Sequence, residues 1–404
     1  MRRLALVAAV ACFATSCGTS PRAIVIGAVY PTGGHQGPGG IEEYRGVELA
    51  ADYVNRDGGV RGRPVRLRLE SVEHREHAPS AIDELADSGV EVVVGSYGST
   101  ISLPAANAAA RRGLVFWETG AVGDLAMGPA ADGHAFRFPA SGRVLGRQAV
   151  SFVRDQLDLG EGMRYAVAYV DDVYGRSVGL GAIEEITESG LTLAARLPYD
   201  LASVDYRTLV DRIAAERTDV LVVASYLDDA VALRREVVRR KVPLRANIGT
   251  SSSYCMLQFG ELLGDNAVGL FASDKPDGAA VDPARLTAEG AAALRWARRA
   301  YQDRHNAAMT APALTGFAGA LGLFGHVLPA ADANSAAAIT RAARKVDVPR
   351  GELPDGSGLR FSGRIGEAGA NERATSVIWE WVARSKRAVV WPPEAASHAI
   401  VPPH

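Results

Sequence analysis

Short apolar runs alternate with amphipathic runs of helical character through most of this chain, and this alternation limits the folds it can adopt. The first pair is AIVIGAVY at 23–30 and IEEYRGVELAADYVNRDGG at 41–59, and further strand-like runs follow at 65–71, 90–96 and 114–120. Strands that alternate with helices of this size build right-handed βαβ units and a parallel sheet. The sequence therefore predicts an α/β fold.

The alternation begins again after FRFPAS at 136–141, with a helix predicted at 143–157 and a strand at 165–172. It continues as far as the strand-like run DVLVVASY at 219–226. Two α/β units in series are therefore predicted, with the break between them near Phe138–Ser141. Each unit is long enough to bury a core of its own.

The last third of the chain does not repeat this pattern. After AVGLFASDKP at 267–276, two helices are predicted at about 287–306 and 312–330, and a strand-like segment with alternating aromatic residues follows. No stretch after the N-terminal segment is long and apolar enough to be a transmembrane helix. The net charge of the 404 residues is −2, which gives no electrostatic reason to expect a nucleic acid as a partner.

The N-terminal residues MRRLALVAAVACFATSC have the order of an export signal: a basic start, a short apolar core and small residues before Cys17. ATSC resembles a bacterial lipoprotein cleavage box, although Ala14 stands where such boxes usually have Leu. We therefore predict that residues 1–17 form a signal segment that ends at a lipidated Cys17. The alternative is an ordinary signal peptide that is cut nearby and leaves a free secreted protein.

Cysteine usage agrees with export, because Cys12 would leave with the signal and Cys17 would carry lipid. Cys255 then has no partner for an intramolecular disulfide, and we predict that it is a small buried apolar residue. Clustered Cys/His patterns of the kind that bind zinc are absent from the sequence.

Enzyme motifs are also absent: the sequence has no GxGxxG at the first helix, no GxxxxGK[ST] and no GxSxG. GTSSSYC at 249–255 has hydroxyls and a thiol but no nearby His. Asp171 and Asp172 are adjacent at a strand end and would point to opposite faces. We therefore predict no catalytic residues, no metal and no cofactor, and that the protein is not an enzyme.

Several predicted strands end in Ser, Thr, Gly or Tyr just before a helix, as in VVVGSYGST, FWETGAVGD, YVDDVYGRS and VVASYLDD. The carboxyl ends of parallel strands form the ligand crevice of open α/β sheets. Ser99 and Thr100 would begin a helix whose free N–H groups suit a carboxylate. Alternatively, these two residues and Asp228 are only helix N-caps. The repetition favours a crevice, because Gly98, Gly120 and Tyr226 would have no capping role.

The chain resembles the type I periplasmic binding proteins, specifically the branched-chain amino-acid (Leu/Ile/Val) and amide receptor branch of ABC importers. The resemblance extends from about Ile24 to Trp381. It lies in IGAVYPTGG, YRGVELAADYVNRDGGVRGRPVRLRLES, VVVGSYGSTISLPAANAAARRGLVFWETGA, FRFPAS, VAYVDDVYGRSVG and DYRTLVDRIAAERTDVLVVASYLDDAVALRREV.

This resemblance implies two doubly wound parallel-sheet lobes joined by a three-segment hinge near 140, 272 and 355, which close on a small ligand. The implied division is an N-terminal lobe of 23–140 plus 273–355, a C-terminal lobe of 141–272 plus 356–390, and a tail of 391–404.

The resemblance also implies the ligand-binding residues. The family's GxxxS loop matches Gly95 and Ser99, and the next strand end matches Gly120 and Ala121. The complete set of implied ligand-binding positions is Tyr97, Ser99, Thr100, Gly120, Ala121, Val122, Tyr174, Tyr226 and Ser251.

Four of these positions depart from the family pattern or define one wall of the site. Val122 stands where amino-acid-binding members often have Thr, whereas Tyr174 and Tyr226 match the aromatic wall of the second lobe. Ser251 stands where the family usually has an acidic partner for the ligand ammonium, so a charge-assisted hydrogen bond is lost there.

Other residues could change the ligand that fits. Glu118, Asp171 or Asp228 could replace the missing acid, although none of them occupies its expected place. Gly39 and Gly40 replace an aromatic residue of the family, which leaves room for a larger or different ligand.

We therefore predict an exported solute-binding protein of an ABC importer, with a small carboxylate-bearing ligand and permease subunits as partners. It would be held by its N-terminal lipid on the outer side of a bacterial cytoplasmic membrane, or lie in the periplasm. Two alternatives are the sensing ectodomain or partner of a signalling receptor with the same fold, and a degenerate surface lipoprotein that does not transport.

Overall fold

The computed structural model describes residues 22–34, 36–124, 133–364 and 368–401. The predicted signal segment and the predicted lipidation site Cys17 lie outside the described residues. The strands are β1 (Ile24–Tyr30), β2 (Val65–Ser71), β3 (Val92–Gly95), β4 (Val115–Glu118), β5 (Ala135–Arg137), β6 (Arg164–Val170), β7 (Thr192–Tyr199), β8 (Val220–Ala224), β9 (Ala246–Thr250), β10 (Phe271–Asp274), β11 (Val377–Ala383) and β12 (Lys386–Trp391). The helices are α1 (Gly37–Arg56), α2 (Ala78–Asp87), α3 (Ser99–Arg111), α4 (Gly142–Gln156), α5 (Val173–Glu188), α6 (Tyr206–Ala215), α7 (Leu227–Arg239), α8 (Leu257–Leu263), α9 (Ala288–His305), α10 (Ala311–Leu321), α11 (Leu328–Ala330) and α12 (Ala336–Lys345).

The first sheet has five parallel strands in the order β2-β1-β3-β4-β5. Parallel neighbours cannot be joined by a tight turn, and the helices α1, α2 and α3 supply the crossovers. Every residue of β3 and β4 is buried, because helices cover both faces of the sheet. The α/β prediction from the alternating pattern is therefore confirmed.

The second sheet has seven strands in the order β12-β11-β10-β9-β8-β6-β7. The strands from β7 to β10 are parallel to their neighbours. β11 and β12 instead form an antiparallel hairpin that adds to β10 at one edge. The short connection at 384–385 explains the antiparallel pairing, since a parallel pair would need a long crossover.

Three elements were not predicted from the sequence, namely β9, α8 and α12. β9 has the sequence ANIGT, in which Asn and Gly obscure any apolar pattern, yet all five residues are buried between two neighbouring strands. Its strand conformation is therefore fixed by sheet pairing rather than by local preference.

The chain passes between the two sheets three times, after β5, after β10 and before β11. Leu359 belongs to the apolar cluster on the first sheet, Phe361 packs against that cluster, and Ala370 forms a bridge with Arg137. These contacts lie beyond the predicted boundary at 355. We therefore propose that the second crossover follows Asp274 and that the third lies at about 372–376. Part of the predicted tail also packs on the second lobe, at Ala395 and Ile400.

One segment, Ala311–Ala330, is long and apolar enough by length and composition to cross a membrane, with a mean hydropathy of 1.4. The prediction that no such stretch exists is therefore wrong by those two criteria. However, 83% of the apolar window is buried inside the protein, which is typical of a core helix. Its apolar character is explained by packing on all sides.

In each lobe, glycines allow two helices to approach very closely. A Cβ atom built on Gly46 of α1 would lie 2.0 Å from the Ala313 carbonyl oxygen of α10, and one on Gly316 would lie 2.2 Å from the Glu43 carbonyl oxygen. In the second lobe, a Cβ on Gly146 of α4 would lie 2.1 Å from the Val178 carbonyl oxygen of α5. These helix pairs therefore require glycine at the contact.

Replacing Gly46 with Ala is expected to lower the free energy of unfolding by about 1–3 kcal/mol, because the added methyl group meets backbone that cannot move aside. Gly322→Ala is the control, since its Cβ would meet only side-chain atoms of Leu353 and Leu359, the nearest at 3.4 Å, an ordinary contact distance. Urea unfolding of both variants measures the difference. Equal losses in the two variants would show that the close α1–α10 contact has no special cost.

Candidate ligand-binding cleft

The loop between β3 and α3 is shaped by close backbone contacts. Gly95 lies against β1, where a Cβ would be 2.4 Å from the Val29 carbonyl oxygen. Tyr97 has a φ of 74°, in the left-handed region that side chains rarely adopt. A Cβ on Gly98 would be 1.6 Å from the Gln36 Oε1 atom, so a side chain at this position would have to displace the end of Gln36. The loop therefore has a fixed course that ends at the first turn of α3.

The structure shows that Ser99 and Thr100 are the first two residues of α3, and that Gly98 occupies the N-cap position. Tyr226 similarly occupies the N-cap position of α7, with Asp228 inside the first turn. Neither cap residue uses a side chain for capping. The interpretation of Ser99, Thr100 and Asp228 as caps is therefore wrong, whereas Gly98 and Tyr226 occupy the N-cap positions without a side-chain capping bond.

The N-terminus of α3 has hydrogen-bonding capacity that the protein does not use. Within the described ranges, the backbone N–H groups of Ser99 and Thr100 have no hydrogen-bond partner. The Ser99 hydroxyl accepts a hydrogen bond from the Gly123 N–H at 2.9 Å and keeps its own proton for another acceptor. The partial positive charge of a helix N-terminus favours a carboxylate at such a place.

Glu118, a buried residue at the end of β4, forms hydrogen bonds with the loop that follows β3 and with the loop that follows β4. Its Oε1 atom accepts hydrogen bonds from the backbone N–H groups of Ser96 at 3.0 Å, Gly120 at 2.8 Å and Ala121 at 2.7 Å. The Ser102 hydroxyl donates to Oε2. Burial raises the Glu118 pKa to about 7, and these hydrogen bonds oppose that rise because they favour the charged carboxylate.

The second lobe contributes two tyrosines. The rings of Tyr174 and Tyr226 pack with their centroids 5.3 Å apart and their planes at 43°. The Tyr226 hydroxyl donates to Asp172 Oδ2 at 2.7 Å, and the Tyr174 hydroxyl donates to the Ser251 carbonyl oxygen. Burial raises the pKa of both tyrosines, so both remain neutral hydrogen-bonding groups at physiological pH.

A small cavity between the lobes brings most of the predicted residues together. Seven of the nine line it, namely Tyr97, Ser99, Gly120, Val122, Tyr174, Tyr226 and Ser251. Thr100 does not line the cavity, because its hydroxyl accepts a hydrogen bond from Gln36 Nε2 at 3.0 Å. Ala121 does not line it either and is 1% exposed. The free space is about 10 Å³, on the scale of one water molecule.

None of the three acids considered as replacements at Ser251 lines this cavity. Glu118 is held in the hydrogen-bonded network behind the loops. Asp171 forms an exposed ion pair with Arg176, with Asp171 Oδ1 2.6 Å from Arg176 Nε. Asp228 is exposed on α7. The lining residues of the small cavity include no carboxylate.

Gly39 and Gly40, which we expected to leave room for a larger ligand, both lie against other groups of the protein, although Gly39 also lines a cavity described below. A Cβ on Gly39 would lie 2.1 Å from the ring of Tyr97, and one on Gly40 would lie 2.1 Å from the Pro31 carbonyl oxygen. The space that an aromatic side chain would fill is therefore occupied by Tyr97 and Pro31. The contact of Gly40 with Pro31 is local in the sequence. The contact of Gly39 with Tyr97 instead depends on the β3–α3 loop lying against α1.

Besides Gly98, three residues that line the small cavity were missing from the predicted set: Gln36, Ser252 and Lys275. Lys275 is 5% exposed, and its Nζ donates to the Gly120 carbonyl oxygen at 3.0 Å. Within the described part of the chain it forms no ion pair. The sequence does carry a signal for it, because Lys275 is one of only four lysines and follows a strand end.

A second cavity, of about 140 Å³, adjoins the small one and shares Tyr97, Ser251, Ser252 and Lys275 as lining residues. Tyr97 of the first lobe and Ser252 of the second therefore border both spaces. A further cavity, of about 900 Å³, lies along the crossover segments and contains none of the predicted site residues. Because ligands of open α/β sheets bind at the carboxyl ends of the strands, and this cavity lies away from them, the two smaller cavities are the better candidates for ligand binding.

Two α/β lobes whose polar strand ends face each other across a cleft define a bilobal ligand-binding protein. Residues 23–379 match the periplasmic binding protein family, and the chain belongs to that family. The resemblance to type I periplasmic binding proteins of the branched-chain amino-acid branch is thereby confirmed.

Similar proteins agree with this assignment over nearly the whole chain. The Leu/Ile/Val-binding protein homolog 8 of Brucella abortus is 26% identical over 381 residues, which cover 92% of this chain and 91% of the relative. The fold is similar to that of the leucine-binding protein LivK from Thermotoga maritima, with a TM-score of 0.76, 16% identity and coverage of 92% and 99% of the two chains. It is also similar to an ABC transporter substrate-binding protein from Desulfitobacterium hafniense in complex with Leu, with a TM-score of 0.70, 20% identity and coverage of 91% and 99%.

Proposed function

We propose that this protein is the extracytoplasmic solute-binding component of an ABC importer, and that it captures a small carboxylate-bearing ligand, an amino acid or a related compound, by closure of its two lobes. The observation that supports this most directly is the meeting of Ser99 at the N-terminus of α3 with Tyr174 and Tyr226 of the opposite lobe. The names of the Brucella relatives and of the leucine-bound neighbour favour an amino acid.

In this proposal the ligand carboxylate lies at the N-terminus of α3. It accepts hydrogen bonds from the free backbone N–H groups and from the Ser99 hydroxyl, and the two tyrosines cover it from the second lobe. A ligand of amino-acid size needs more than about 10 Å³, so the lobes or the tyrosines must move apart before it enters. Hinge rotation at the three crossovers is the movement that this architecture allows. The closed form would then present a surface to the permease, and the lipid on Cys17 would keep the protein at the membrane.

The direct test is a thermal-shift screen with L-leucine, L-valine, L-glutamine, short-chain carboxylic acids and aromatic acids. A ligand at 100 times its dissociation constant adds about 2.7 kcal/mol to the stability of the folded state, which is easily detected. The same protein without added compound is the reference. If no compound raises the unfolding temperature, the proposed solute-binding function is wrong for this ligand class.

For any compound that binds, Ser99→Ala is expected to weaken affinity at least tenfold, since a hydrogen bond to a charged group contributes about 1.5–3 kcal/mol. Thr100→Ala is the matched control, because it removes a neighbouring hydroxyl that does not line the cavity. Titration calorimetry measures both. Equal affinities for Ser99→Ala and the unmodified protein would contradict the placement of the carboxylate.

A further inference from the structure

The small cavity between the lobes has one charged side chain among its described lining residues, and that side chain is basic. Lys275 directly follows β10 and is 5% exposed. Its Nζ atom donates to the Gly120 carbonyl oxygen at 3.0 Å, but it forms no ion pair with the residues that the structure describes. An ammonium group has three N–H donors, so these residues leave two of them unused. A buried ammonium normally has an anionic partner, because taking an unpaired charge out of water costs free energy.

The acids around Lys275 do not supply that partner. Burial, followed by the charge of Glu118, raises the Glu43 pKa to about 8, although the charge of Lys275 opposes the rise. Glu43 is therefore mostly protonated, and so uncharged, at neutral pH. Asp274 precedes Lys275 in the chain, but it lines only the second cavity and forms no ion pair with Lys275. The anionic partner is therefore missing from the described residues around the Lys275 ammonium.

The second cavity, in contrast, has charged groups of both signs. Arg387 Nη2 donates to Asp277 Oδ2 at 2.9 Å, and Glu42 is paired with Arg45 at 2.6 Å. Asp274 Oδ1 has no hydrogen-bond partner among the described residues, but neither do the Nε and Nη1 atoms of Arg387, which lines the same cavity. The second cavity therefore has unused acceptors and unused donors, whereas the small cavity has a base and no acid.

Lys275 connects the two lobes in the cavity that Ser99 also lines. Its carbonyl oxygen accepts a hydrogen bond from Trp379 Nε1, in β11 of the second sheet, at 3.1 Å. Its Nζ atom extends to Gly120 of the first lobe. Three residues further along the same loop, the Gly123 N–H donates to the Ser99 hydroxyl at 2.9 Å. A group in this cavity therefore has both an ammonium and the N-terminus of α3 as neighbours, and both favour negative charge.

We propose that Lys275 selects a ligand with a net negative charge, a carboxylic acid without an ammonium group, over the corresponding α-amino acid. This inference rests on the proposed solute-binding function and narrows its ligand to the related compounds. The ligand carboxylate accepts hydrogen bonds from Ser99 and from Lys275. An α-ammonium, one carbon away from that carboxylate, would lie near the like charge of Lys275 and would find no carboxylate among the described lining residues. The serine at position 251 agrees with this, because such a ligand needs no acid there.

The test compares ligand pairs that differ only in the ammonium group: 4-methylpentanoate with L-leucine, 3-methylbutanoate with L-valine, and 3-phenylpropanoate with L-phenylalanine. The full protein and two variants are titrated with each pair by calorimetry at neutral pH. Lys275→Met removes the charge and keeps the length of the side chain. Arg387→Met is the matched control, because it removes a base that lines the second cavity but not the small one. Thermal unfolding without ligand confirms that each variant is folded.

We expect the unmodified protein to bind each ammonium-free acid about tenfold more tightly than its amino acid, or better. Lys275→Met is expected to weaken binding of the acid about tenfold or more, and binding of the amino acid less than about threefold. The second effect is smaller because the lost attraction for the carboxylate is offset by the lost repulsion of the ammonium. Arg387→Met is expected to change both affinities by the same factor, because Arg387 does not line the cavity that holds the ligand.

The failures of the two proposals can be distinguished. If amino acids bind more tightly than their ammonium-free counterparts, or if Lys275→Met changes both members of a pair equally, the role of Lys275 is wrong while solute binding stands. The same holds if Arg387→Met abolishes the preference as fully as Lys275→Met does. If no member of any pair binds the unmodified protein, both proposals are overturned. The preference of the unmodified protein is measured without any variant, so it decides the question even if Lys275→Met does not fold.

Discussion

Replacing Glu118 with Ala is expected to lower the free energy of unfolding by about 3–5 kcal/mol. The Glu118 carboxylate is fully buried and accepts from three backbone N–H groups, at Ser96, Gly120 and Ala121. Removing it leaves three buried donors without an acceptor, each of which costs about 1–3 kcal/mol unless water enters. Urea unfolding measures the loss.

The control for this prediction is Glu118→Gln, whose amide oxygen can still accept from the three N–H groups. It is expected to retain most of the stability that the Ala variant loses. Because Glu118 also holds the loops that contain Gly120 and Ser99, ligand affinity should fall with stability in the Ala variant and much less in the Gln variant. Equal stability of the two variants would show that the hydrogen bonds of Glu118 do not hold these loops.

The stability of the protein is expected to fall as the pH rises from about 5 to 8, chiefly through Glu43. Burial, followed by the charge of Glu118, raises the Glu43 pKa from 4.5 to about 8, and the charge of Lys275 partly opposes this. Thr119 donates to Glu43 Oε1 at 2.7 Å, whereas Oε2 has no hydrogen-bond partner among the described residues. The folded state therefore holds a proton that the unfolded chain has already released.

A raised pKa in the folded state gives stability that is complete below pH 4.5 and is lost as the pH rises through 8. The slope is at most about 1.4 kcal/mol per pH unit, so up to about 4 kcal/mol is lost between pH 5 and 8. Glu118 contributes in the same direction, with a pKa raised to about 7. Urea unfolding at several pH values over this range measures the total change.

Glu43→Gln identifies the contribution of Glu43, because glutamine resembles the protonated acid and does not titrate. The variant should lose less stability than the unmodified protein between pH 5 and 8, and the two curves should converge at low pH. Curves that run parallel over the whole range would contradict the raised pKa of Glu43. A steeper curve for the variant would contradict the sign of the shift.

Much of the fold could be predicted from the sequence because its signals are local. Runs such as IVIGAVY and VVVG are buried strands, and the amphipathic run ending in YVNR forms α1. Periodicity reports which face of an element is buried, and that requires no knowledge of the partner. β9 was missed because its burial depends on two neighbouring strands, and α8 and α12 lack a comparably long periodic pattern.

The candidate site was predicted in part. Ser99, Tyr174 and Tyr226 follow strand ends, and the carboxyl ends of parallel strands meet on one edge, so the sequence was enough to place them near one another. Thr100 and Ala121 also follow strand ends in the sequence, but neither lines the cavity. The Thr100 hydroxyl accepts a hydrogen bond from Gln36, and the Ala121 side chain is buried. Which way a side chain turns within a loop is decided by neighbours from other elements.

The sequence by itself determined the class of fold, the two-lobe division and the edge of each sheet where polar residues gather, because these follow from periodicity and from the order of elements. Only the tertiary structure decided which charges enter the cleft. Asp274 and Lys275 stand at a crossover in a short segment without periodicity, and both are buried with no ion-pair partner among the described residues. Burial and pairing between distant residues depend on how the lobes pack, which no local pattern of residues encodes.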